Sequence, residues 1–178
     1  MMAMYAGATP KLIKYNFGKS GMSKEIRGLV VHIAQSSTLA GVYSWFNNPR
    51  QTYKDKKGVD RPTTSSAHFG VDKDGTIWQF VDTDHMAYAQ GPGNAKWISV
   101  ENVGYSGKEL TEEQLLSLGN LLYWLNEIKT VPLMLASSSA SSGVAYHSID
   151  PSWGHPLCPG DPIKAQLQRI VDYAKYGF

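Results

Sequence analysis

The chain has 178 residues, 42% hydrophobic and 18% charged, with a formal net charge of +2. That length suits one monomeric domain with a sizeable core and is short for two. No stretch approaches the roughly 18–20 apolar residues of a membrane helix, and the mild basicity is not gathered into a Lys/Arg stripe, so neither membrane insertion nor a nucleic-acid partner is expected.

In chain order, MMAMYAGATPKLIK has no basic n-region, too short an apolar core and no cleavage site for a secretory signal. Residues 1–24 read as an irregular lead-in to a domain spanning residues 25–178. EIRGLVVHIA, Glu25 to Ala34, becomes β-branched and apolar toward its end and predicts a buried strand with His32 near its C-terminal end. TLAGVYSWFNNP predicts a short helix stopped before Pro49, and QTYKDKKGVDRPTTS a polar loop. SAHFGVDKDGTIWQFVD predicts two strands around Lys73-Asp74-Gly75, because Asp-Gly tolerates positive φ. WISVENVGYSG adds a strand containing Glu101. Thr111 to Gln114, TEEQ, is a capping box before Leu115, Leu118, Leu122 and Leu125 at helical spacing. SSSASSG, Ser137 to Gly143, predicts a small flexible loop, and PIKAQLQRIVDYAKY a closing helix with Pro162 at its start. Interspersed strands and helices without repeats predict an α/β domain, one mixed sheet flanked by helices.

The groups able to do chemistry are five histidines, Glu101 and the single cysteine, Cys158. One cysteine allows no disulfide within the chain, so Cys158 is a buried small hydrophobe, a reactive thiol or a metal ligand. His32, His147 and Cys158 would suit zinc with one open position, since zinc prefers imidazole and thiolate in a tetrahedron. Their separations match no short zinc-finger spacing, and a strand-end histidine is more often a hydrogen-bonded core or surface residue. Spacing alone leaves both readings open.

LVVHIAQS, SAHFGVDKDGTIWQFVD, ISVENVG, YHS and GHPLCPGD, in that order from Leu29 to Asp161, resemble the zinc-dependent N-acetylmuramoyl-L-alanine amidases of the type 2 family. That family includes phage endolysins and the peptidoglycan recognition proteins, and the GHPxCPGD-like ending is similar to endolysin catalytic domains of phages infecting actinobacteria. The resemblance implies Zn2+ held by His32, His147 and Cys158, with Glu101 as general base and then acid. Many relatives carry Lys or Thr two residues before the third ligand to hold the oxyanion. That position is Pro156 here, which has no donor, and the task is expected to pass to His155.

His68, at a position often histidine in the family, and Asn94 are expected to bind substrate. Tyr88, Trp78 and Trp97 are candidates for groove or core. His85 falls near the family's WHAG stretch but not on its histidine, where Ala89 stands, and is expected at the surface. The implied activity is hydrolysis of the amide between N-acetylmuramic acid and L-alanine in bacterial peptidoglycan. The lysin would be made in the host cytoplasm and act on the wall after release. Two alternatives stay open: a catalytically silent peptidoglycan-binding module, and a muramidase pairing Glu101 with Asp72 or Asp74, which needs carboxyls about 5–9.5 Å apart.

Overall fold

The computed structural model describes residues 3–177. Its elements run β1 (Thr9–Pro10), β2 (Phe17–Gly21), β3 (Gly28–Ile33), α1 (Leu39–Phe46), β4 (Thr52–Lys54), β5 (Asp60–Pro62), β6 (Phe69–Val71), β7 (Ile77–Gln79), β8 (His85–Ala87), β9 (Trp97–Asn102), α2 (Glu112–Lys129), β10 (Gly143–Tyr146) and α3 (Asp161–Tyr176). The main sheet has the order β1-β7-β6-β9-β3-β10. Strands β6, β9, β3 and β10 are parallel, while β7 returns antiparallel to β6 and carries β1 parallel at the edge. The sheet is therefore mixed, and helices flank it as the sequence predicts.

Alternation along the central strands sorts the chemistry from the core. Leu29, Val31 and Ile33 of β3 pair with Ile98, Val100 and Asn102 of β9, and the apolar members join Leu115, Leu118, Leu122 and Leu125 of α2 and Ile163, Leu167 and Ile170 of α3 in one buried cluster. The residues between them, Val30 and His32, face the other way with Ser99 and Glu101. Helix α1 covers part of that second face: a Cβ on Gly70 would meet Leu39 and Phe80. The capping box at Thr111 is formed in both directions, with Gln114 donating back to Val71 and Val103 carbonyls. Among the described residues, no helix is long and apolar enough to cross a membrane.

Three local expectations are revised. The lead-in, expected to be irregular, carries β1 on β7 and β2 antiparallel to β8. Both strands are short and gain order from distant backbone partners that leave no local pattern. The polar loop after α1 contains the exposed hairpin of β4 and β5, closed by Asp55 accepting from the Lys57 and Val59 amides. The serine loop is tied down: Arg27 donates to the Ser139 carbonyl at 2.6 Å, Ser141 Oγ accepts from the Ser137 and Ser138 amides, and Ser139 Oγ hydrogen-bonds Asp150.

Gly28 and Gly143 are paired residues at the start of β3 and β10. A Cβ on Gly28 would lie 1.8 Å from the Gly143 carbonyl oxygen and 2.8 Å from the Trp97 ring, and the nearest obstacle is backbone that cannot swing away. Gly28→Ala should therefore cost about 3 kcal/mol, the upper part of overpacking penalties. Thermal denaturation should record a Tm lower by about 6–12 °C; an unchanged Tm would show that the two strands can separate at no cost.

Candidate metal and active site

The site lies at the carboxyl ends of neighbouring parallel strands, where open α/β sheets hold their ligands. His32 is the next-to-last residue of β3, and its register partner on β9 is Glu101. Tyr146 at the end of β10 pairs with Val31, so the following residue, His147, falls beside His32 on the same face. Cys158 comes from the loop before α3, where its amide donates to the His155 carbonyl and its carbonyl accepts from the Ser148 amide, both at 3.0 Å. The Asn102 amide group donates to the His32 carbonyl at 2.9 Å and fixes the strand end.

One ligand atom each from His32, His147 and Cys158 lies within 4.8 Å of the others. The His32 and His147 ring centroids are 4.5 Å apart, and both rings are buried. His147 Nε2 lies 3.2 Å from the Trp153 carbonyl oxygen. A carbonyl only accepts, so Nε2 carries the proton and Nδ1 keeps the lone pair. With zinc bonds of about 2.0–2.3 Å, small side-chain shifts bring such a set onto one ion.

Burial sets the charge state. It lowers the His32 pKa well below the usual histidine range, with the neighbouring His147 adding to the effect, and lowers His147 to about 4. Both imidazoles are neutral near pH 7, the form that ligates a metal. Burial, and then Glu101, raise the Cys158 thiol to about 12. Glu101, one of whose carboxyl oxygens is buried without a partner, is raised to about 8 by burial. The constellation is thus a neutral His-His-Cys donor set beside a protonated carboxyl, and it fits a borderline-soft divalent cation that would restore the thiolate.

These groups form the floor of an open cleft of about 680 Å³. His155 stands at its exposed mouth, its ring centroid 5.1 Å from that of His147. Glu101 is the single carboxylate among the described residues that line the cleft. The structure therefore brings together five of the seven residues expected to act.

His68 and Asn94 stand apart and do not line the cleft. His68 is completely buried: Nε2 donates to the His85 carbonyl at 2.9 Å and Nδ1 accepts from the Ser99 amide at 3.0 Å. Both ring nitrogens are spent inside the fold. Asn94 Oδ1 accepts from the Ala89 and Gln90 amides and shapes the loop behind the cleft. Tyr88 does line the cleft, while Trp97 is core and Trp78 packs beside Tyr43 under Lys11. His85 is half-buried, 3.6 Å from Asp82. Sequence reasoning missed Trp45, whose ring lines the cleft while its N–H donates to Ser65 at 2.8 Å. No local motif singles it out within α1.

The family profile described as N-acetylmuramoyl-L-alanine amidase matches residues 22–161. The chain belongs to this family. No curated protein sequence matches it. Solved structures extend the likeness across the fold of this amidase-family chain. The N-acetylmuramoyl-L-alanine amidase LysC from Clostridium intestinale URNW is 16% identical, with a TM-score of 0.59 over 94% of this chain and 100% of that one. A selenomethionine derivative of AmpD is 17% identical, with a TM-score of 0.68 over 96% and 97%. The Drosophila peptidoglycan recognition protein SD is 13% identical, with a TM-score of 0.58 over 89% and 87%.

The raised Glu101 pKa carries a stability signature in metal-free protein. The folded state holds the Glu101 proton up to about pH 8, whereas the unfolded chain releases it near 4.5, the ordinary value for glutamate. Folded protein binds the extra proton between those limits, so this contribution to stability falls as pH rises from about 4.5 to 8. Glu101→Gln stays neutral throughout. Its Tm should match wild type at pH 5 and exceed it by several degrees at pH 8.5; equal Tm differences at both pH values would mean that Glu101 ionises normally.

Proposed function

We propose that the chain is a zinc-dependent N-acetylmuramoyl-L-alanine amidase of the phage endolysin type. It cleaves the amide between the lactyl group of N-acetylmuramic acid and the L-alanine of the peptide stem, and so lyses the bacterial wall. The observation that carries this reading is the neutral donor set of buried His32 and His147 with half-buried Cys158, and Glu101 beside it, at the floor of an open cleft. The family membership supports it.

His32, His147 and Cys158 would hold the zinc, which supplies Lewis acidity to the scissile carbonyl and the attacking water. Glu101 accepts a proton from that water and returns it to the departing L-alanine amine, a role worth about 10²–10⁴ in rate. With a dication bound beside it, Glu101 would fall from its metal-free pKa of about 8 toward the base form that this step requires. His155 at the mouth donates to the developing oxyanion. Pro156, at the position where relatives place a donor, has none. The enzyme acts at the wall after release from the cell that makes it.

A muramidase needs a second carboxyl across the scissile bond. Asp72 and Asp74 instead accept from the Lys73 and Thr76 amides in the β6–β7 turn and do not line the cleft.

Mass spectrometry of fragments released from purified peptidoglycan tests the reading. Free stem peptides beginning at L-alanine should appear, vanish on chelation and return with zinc, and Glu101→Gln should slow their release by at least about 100-fold. New reducing sugar ends, indifferent to chelator, would replace the amidase with a glycosidase; wall binding with no release would leave a silent recognition module.

Zinc binding should also release the Cys158 proton, because the thiol stays protonated to about pH 12 without metal. Calorimetric titrations in buffers of different ionisation enthalpy should count about two protons per zinc near pH 7, one from Cys158 and one from Glu101, and about one above pH 8, where Glu101 is already ionised. Affinity should rise by at least about tenfold per unit between pH 7 and 9, more steeply below pH 8. A flat pH profile would remove Cys158 from the ligand set.

A further inference from the structure

Gln90 is completely buried behind the cleft and does not line it. Its Nε2 donates to the Trp97 carbonyl at 3.3 Å, which fixes the carboxamide and leaves Oε1 as its free end. That Oε1 is buried without a hydrogen-bond partner, and so is His32 Nε2. The Gln90 side chain lies within reach of the His32 ring. Two buried groups with complementary needs meet there.

His147 supplies the parallel. Its Nε2–H is committed to the Trp153 carbonyl and its Nδ1 is left for the site. We infer that Gln90 is the positioning residue of His32: its Oε1 accepts the His32 Nε2–H, so that the Nδ1 lone pair faces the donors of His147 and Cys158. This rests on the metal-site reading given above. Metal-binding histidines are commonly held in this way through the second ring nitrogen, and loss of the holding group typically costs 10- to 100-fold in affinity. An amide suits this position because a buried carboxylate would stand uncompensated whenever the metal is absent. Gln90 cannot touch substrate from behind the ring, so it acts through His32 alone.

The test combines nitrogen-15 NMR of the His32 tautomer in metal-free protein with zinc affinity by chelator competition, for wild type, Gln90→Leu and Gln90→Glu. Wild-type His32 should be the Nε2–H tautomer. Gln90→Leu keeps the volume and removes the acceptor; it should mix the tautomers and weaken zinc about 10- to 100-fold. Gln90→Glu keeps an acceptor and should restore both signals. A wild-type Nδ1–H tautomer overturns the inference even where Gln90→Leu does not fold, and so does wild-type zinc affinity in a folded Gln90→Leu. Wild-type protein with the Nε2–H tautomer but no zinc binding would instead sink the metal reading and leave the hold of Gln90 on His32 intact.

Discussion

The parallel register of β3 against β9 and β10 is the constraint on which the site depends. A slip of one residue would exchange the faces of the strand, sending His32 toward α2 and α3 and Leu29, Val31 and Ile33 toward the cleft. The slip is opposed by the large apolar cluster on the helix face, each of whose buried side chains contributes about 1.5–3 kcal/mol. It is opposed as well by the close approach of Gly28 to Gly143, which fits only in the observed pairing. Core packing thus fixes which residues meet at the strand ends. The chemistry uses a register that hydrophobic burial had already determined.

Burial also governs the electrostatics. Among the described residues, buried side-chain polar atoms without a hydrogen-bond partner belong to His32, Gln90, Glu101, Asn102 and Ser148. His32 is a proposed ligand and Ser148 follows another, Glu101 is the proposed base and Asn102 follows it, and Gln90 lies behind His32. Native folds leave few such groups, and their gathering at one place marks where stability has been given up for function. The same desolvation keeps His32, His147, Cys158 and Glu101 neutral. A cation entering this environment would reverse the preference of the thiol and the carboxyl together, so binding the ion and readying the base are coupled through one field.

Most of the fold was legible because its elements carry their own period or punctuation. The β-branched apolar run of β3, the Asp74-Gly75 turn between β6 and β7, and the Thr111 capping box are local patterns that tertiary packing did not override. What stayed hidden depends on distant partners. β1 and β2 are ordered by β7 and β8, and the serine loop by Arg27 and Asp150. The two strand histidines make the same point. His32 and His68 sit in similar apolar surroundings, yet His68 faces Ser99 and the His85 carbonyl while His32 faces His147 and Cys158. Only the ordered set of family-like motifs separated them. It said nothing of Gln90, which carries no motif.

The loop before α3 shows how the missing donor at Pro156 fits the proposed chemistry. Gly154 and His155 have φ values of 78° and 49°, so two successive residues lie in the left-handed region. For His155 this conformation is strained, and such strain persists where surrounding contacts hold it. Here the His155 carbonyl accepts the Cys158 amide, closing a tight turn that ends at the proposed third ligand. The turn that presents Cys158 to the site thereby also lifts the His155 ring to the cleft mouth near His147. Proline at position 156 suits this bend because its φ is fixed and no amide is required of it. In the proposed chemistry, the absence of a donor at Pro156 and the use of the adjacent His155 are thus two consequences of one backbone turn.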